Sequence, residues 1–97
     1  MTIEDFKKLL EKNTPPENIN PLLLSLWYDA KGNWKLAHET AQEIASNDGS
    51  WIHAYLHRKE GDKSNASYWY SRAGKKMPSY SLDKEWEEIL SDLIAKL

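Results

Sequence analysis

His53 and His57 stand four residues apart in the run Trp51-Ile52-His53-Ala54-Tyr55-Leu56-His57. On a helix that spacing sets two imidazoles one turn apart on one face, which is how a helix offers two nitrogens to a metal ion. His38 or Asp29, both upstream, could add a third ligand. A metallopeptidase of the His-Glu-x-x-His type carries its general base directly after the first histidine, and here that position is Ala54. The trio His38, His53 and His57 therefore suits a metal-dependent or acid–base role without the hydrolytic signature.

Other reactive constellations are missing. No cysteine is present, which excludes disulfides, thiolate nucleophiles and cysteine-ligated zinc or iron–sulfur centres, and suits a reducing compartment. There is no Gly-x-Ser-x-Gly, no dinucleotide fingerprint, and Gly74-Lys75-Lys76 lacks the upstream glycine of a phosphate loop. Glu87-Glu88 are neighbours on an amphipathic segment, so they diverge and read as solvated. No cofactor is implied.

Thirteen basic against fifteen acidic residues leave a net charge of −2, unlike the basic balance of a dedicated nucleic-acid binder. The charge is uneven: six cations (Arg58, Lys59, Lys63, Arg72, Lys75, Lys76) crowd a stretch rich in aromatic residues, while the last fifteen residues are acidic. Stacking on single-stranded nucleic acid is a third reading of that stretch, opposed by the overall charge. The longest strictly apolar run is Leu22-Leu23-Leu24, and Glu4 and Asp5 stand where a secretory signal would be basic. A cytoplasmic, non-membrane protein is expected.

The elements that must position these residues are helical. Thr2 ahead of Asp5 resembles a capping box, and Ile3, Phe6, Leu9 and Leu10 share a face, so 1–12 is expected as a first helix. Pro15-Pro16 make 13–20 a linker. Asn20-Pro21 opens a helix that Gly32-Asn33 closes, and the next carries Ala37, Ala41, Ile44 and Ala45. After a break at Asn47-Asp48-Gly49-Ser50, a helix from about Trp51 ends at Gly61-Asp62, and another holds Ala66, Trp69, Tyr70 and Ala73. Over 82–97, Trp86, Ile89, Leu90, Leu93, Ile94 and Leu97 form the cleanest apolar stripe, expected to lie across the rest as a cap. The prediction is one all-α domain over 1–97 with two helical hairpins, 21–46 and 50–74. Its five tryptophans and five tyrosines each need a polar partner when buried.

The hairpins align with an offset of 29 residues: Gly61 falls on Gly32, Asp62 on Asn33 and Ala66 on Ala37. The second, from Trp51 to Pro78, resembles a tetratricopeptide or Sel1 repeat, with Ala54 at the small position of its first helix and Gly61-Asp62 at the turn. Ala66, Tyr70, Ala73 and Pro78 match the pattern of its second helix. In the first hairpin Ser25 replaces the small alanine and Ala41 stands where an aromatic is expected. The run from His53 to Gly74 is also similar to a group of short proteins carrying His-Ala-Tyr-Leu-His-Arg-Lys-Glu-Gly-Asp followed by Tyr-Trp-Tyr and Arg-Ala-Gly, a similarity that brings no activity with it.

The repeat resemblance implies that Trp51, Tyr55, Arg58 and Lys59 line a concave groove. Flat rings and cations would there hold an acidic or C-terminal peptide. It also implies that His53 and His57 pack against the partner helix. The leading expectation is a protein-interaction module that binds a peptide or protein, or a second copy of itself. The histidine-based enzyme and the single-strand binder are the alternatives.

Overall fold

A computed structural model describes residues 1–97. The chain forms six helices and no strands: α1 (Ile3–Leu9), α2 (Pro21–Ala30), α3 (Trp34–Gln42), α4 (Asn47–Lys59), α5 (Lys63–Ala73) and α6 (Leu82–Ala95). The all-α expectation holds, and no helix is long and apolar enough to cross a membrane.

Local chemistry accounts for the boundaries. Thr2 and Asp5 make the full reciprocal capping box of α1. Asn20 caps α2, with Pro21 at the first helical position. The turns after α2 and α4 are the same object, displaced by 29 residues. Gly32 N–H donates to Asp29 O and Asn33 N–H to Tyr28 O, as Gly61 N–H does to Arg58 O and Asp62 N–H to His57 O. Both glycines are left-handed, at φ +82° and +89°, and Asn33 and Asp62 cap the helices that follow. This closing pattern satisfies the orphan carbonyls of one helix and starts the next within three residues.

Some boundaries differ from expectation: α1 spans Ile3–Leu9 rather than 1–12, and the junction of α3 with α4 is shifted. Ser46 accepts from Gly49 N–H, so α4 begins at Asn47 rather than near Trp51, and Ile44 and Ala45 lie in the connection instead of on α3. The first turn of α4 presses on that connection. A Cβ on Gly49 would stand 2.3 Å from the Ile44 carbonyl oxygen, so only glycine permits the approach.

Packing follows the small residues. α2 pairs with α3, α4 with α5, and α3 joins the two pairs. Ala37, Ala41, Ala54 and Ala66 are buried where the helices meet. Ser25 takes the place of an alanine in α2 because its hydroxyl donates to Ala37 O at 2.7 Å inside the contact. The apolar stripe of α6 lays Ile89, Leu90 and Leu93 against α4 and α2, and α6 also reaches α1. Indole nitrogens find carbonyls: Trp27 donates to Leu9 O, Trp34 to Leu56 O and Trp86 to Leu26 O.

Candidate three-histidine centre

α4 carries both of its histidines toward α3 and α5. His53 and His57 stack with ring centroids 4.8 Å apart, one turn from each other. From α3, His38 enters edge-on, its centroid 4.5 Å from that of His53 and 5.1 Å from that of His57. Its approach depends on Ala37 and Ala41, whose lack of bulk lets α3 lie close. His38 Nε2 and His53 Nε2 are 2.8 Å apart, and one ring nitrogen from each of the three histidines lies within 4.8 Å of the others. Asp29, the alternative third ligand, lies elsewhere: its carboxylate accepts from Tyr55 Oη at 2.7 Å and Lys59 Nζ at 2.8 Å.

Aromatic walls enclose the trio. Trp34 stacks on His38 at 4.8 Å and Trp69 on His53 at 4.0 Å. Burial pushes His53 down to about 4, helped by the neighbouring rings of His38 and His57. His38 is lowered for the same reasons, burial first and His57 second, with Glu60 and Glu39 opposing. Both rings are therefore neutral near pH 7, and across the 2.8 Å contact one Nε2 donates its proton while the other accepts. Neutral imidazole is also the form that binds metal. Glu60 adds an outer partner, its carboxylate 2.7 Å from His57 Nδ1, which leaves Nε2 as the remaining nitrogen of His57. Such carboxylate–imidazole pairs fix ring orientation and raise ligand basicity in metal sites. Asp62 completes a second cluster with His57 and Glu60 while capping α5 through Asn65.

The groove expected from Trp51, Tyr55, Arg58 and Lys59 is not an open face. Trp51 is 3% and Tyr55 2% exposed. Trp51 Nε1 and Arg58 Nη1 donate to Glu85 at 3.1 and 2.8 Å, Arg58 Nη2 bonds Tyr80 O, and Lys59 Nζ binds Asp29. The rings and cations hold carboxylates as their chemistry suggested, but those carboxylates belong to α6 and α2. The cause is that α3 and α5 pack on one half of α4 and α2 and α6 on the other, which buries Trp51 and Tyr55, while Lys59 at the end of the helix stays exposed.

Glu85 is the residue that the sequence reading passed over. Its fully buried carboxylate takes Trp51, Arg58 and the Tyr70 hydroxyl, the last at 2.6 and 2.8 Å. Burial and the nearby carboxylates push Tyr70 and Tyr55 far above the usual phenol range, so both remain hydrogen-bond donors. A signal for this existed: Glu85 begins the row Glu85, Ile89, Leu93 at four-residue spacing, an acid on an apolar stripe.

No family model, curated protein or solved structure matches the chain.

Proposed function

We propose that this protein binds a divalent transition-metal ion, of the zinc class, through His38, His53 and His57. The observation that carries the reading is the convergence of three ring nitrogens from two helices, with Glu60 behind one of them. Imidazole sets of this kind suit zinc, copper, iron and nickel. Three protein ligands leave a coordination position for water or a small ligand, the arrangement of catalytic and exchangeable sites rather than of closed structural ones. A tetrahedral ion with bonds of roughly 2.0–2.1 Å sets its ligand nitrogens about 3.3 Å apart, which opens the His38–His53 contact slightly and draws the third ring in.

The protein-interaction reading loses the surface that motivated it. Trp51, Tyr55 and Arg58 become available to a peptide only if α6 leaves, and α6 carries three core residues and Glu85.

Zinc titration of chelator-treated protein tests the proposal. We expect about one equivalent bound, and stabilisation of ~2.7 kcal/mol at roughly one hundred times the Kd, equivalent to a rise in Tm on the order of 10 °C. Glu60→Gln should weaken zinc by about 10- to 100-fold without removing a ligand. Binding below about a tenth of an equivalent, with no thermal shift, would overturn the assignment.

A further inference from the structure

Beside His53 lies a cavity of about 320 Å³, roofed by the connection at Ile44 and floored by the first turn of α4, with Trp69 and Arg72 of α5 along one side. Its lining has a definite electrostatic character. No aspartate or glutamate contributes to it, and Arg72 is its only charged group. That guanidinium has no acidic partner anywhere in the chain. It bonds the Tyr68 hydroxyl at 3.1 Å and rests 5.3 Å from the Trp69 ring. The one carboxylate in the first turn of α4, Asp48, is engaged by Lys96 at 3.0 Å and lies outside the lining.

Two further groups lack partners at the same place. Ser46 satisfies the N–H groups of Gly49 and Ser50, leaving without an acceptor in the chain those of Asn47, which lines the cavity, and of Asp48 next to it, which does not. These are orphan donors at the positive end of a 13-residue helix. His53 is 6% exposed and lines the cavity, yet only its Nε2 has a hydrogen-bond partner; Nδ1 has none.

We infer that this cavity is a binding site for a small oxyanion, a carboxylate- or phosphate-bearing molecule of metabolite size, with Arg72 as its principal anchor. Arginine offers a planar fork that matches both anions in two parallel hydrogen bonds. Asn47 and Ser50 supply neutral polar contacts, and Trp69, which stacks on His53, borders the space left for the remainder of the ligand. The volume equals roughly ten water molecules, enough for more than a bare ion. The site does not rest on a metal: Arg72, the α4 terminus and Trp69 are positioned by the packing of α4 and α5. Since His53 borders both the cavity and the histidine trio, a bound anion lies next to the metal position when that is filled.

The test is an NMR titration of metal-stripped protein with inorganic phosphate and, separately, malonate, at constant ionic strength. Saturable shifts of the Asn47 and Asp48 amides and the Trp69 indole N–H are expected, weakened at least about tenfold by Arg72→Gln. Arg72 is exposed, so its replacement leaves the fold intact, which circular dichroism verifies. The tighter of the two anions decides between phosphate esters and carboxylates. Absence of saturation up to roughly 20 mM of either, or equal affinity in Arg72→Gln, overturns the inference. Repeating the titration on zinc-treated protein separates the two proposals: failure to bind zinc removes the metal reading alone, and failure to bind anion in both forms removes this one.

Discussion

Acidification from pH 7 to pH 5 should destabilise this protein through its histidines. His53 has an ordinary value near 6.5 and is held at about 4 by burial and by the two adjacent rings. Its folded-state value is depressed, so the unfolded chain takes up the proton first as pH falls. The stability present above pH 6.5 is then lost progressively until about pH 4. At about 1.36 kcal/mol per unit the whole effect is about 3 kcal/mol, of which about 2 should disappear between pH 7 and 5. His38 shifts in the same direction and adds to the loss. Against the total stability of a small domain, on the order of 5–15 kcal/mol, that is a large fraction. The groups facing His53 are His57 on its own helix, His38 from α3, and Trp69 from α5 with the Arg72 cation beyond, and none of them is an acid that could hold a proton on the ring. Urea unfolding of the chelator-treated protein at pH 7, 6 and 5 measures the slope, and NMR follows the His53 ring through its own titration. His53→Gln should remove most of the slope. A His53 resonance that titrates near 6.5 in the folded protein, or a midpoint unchanged between pH 7 and 5, would refute the reasoning.

Two other substitutions probe the scaffold. Glu85→Ala leaves Arg58, Trp51 and Tyr70 without their acceptor and should cost about 3–5 kcal/mol. A loss under about 1 kcal/mol by thermal or urea unfolding would mean that water enters and replaces the carboxylate. Gly49→Ala sets a methyl 2.3 Å from the Ile44 oxygen and should destabilise by about 1–3 kcal/mol through displaced backbone. Gly61→Ala meets no neighbour and should cost only about 1–2 kcal/mol, for its left-handed backbone. A loss at Gly49 under about 1 kcal/mol would show that crowding at Ile44 is unimportant.

The residues that made the fold legible act locally. Thr2 with Asp5, Asn20 with Pro21, and the pairs Gly32-Asn33 and Gly61-Asp62 each close or open a helix through bonds within five residues, so their meaning is complete in a short window of sequence. His53 and His57 share a face for the same reason. The start of α4 was not legible, because Asn47-Asp48-Gly49-Ser50 has turn composition and becomes helical through a Ser46 cap and a close approach to Ile44. The Trp51 and Tyr55 face was misread because its exposure depends on α6, whose docking is decided some thirty residues downstream. Helical phase states which residues share a side; it does not state how many sides are covered. The cavity beside His53 was hidden too, since Arg72 and Asn47 meet only after α4 and α5 have paired.

The buried carboxylate of Glu85 also bears on the order in which the chain can mature. Ribosomes deliver α6 after the other five helices, at roughly 5–20 residues per second. Before Ser81 and the helix behind it are made, Trp51, Arg58 and Tyr70 have no Glu85 to bond, and the surfaces of α2 and α4 that α6 covers have no partner. For that interval the chain carries rings and a cation without their own acid, the chemistry that suits an acidic segment. Docking of Glu85 fills the socket from within, so the fold supplies its own acid to the groups that would otherwise recruit one.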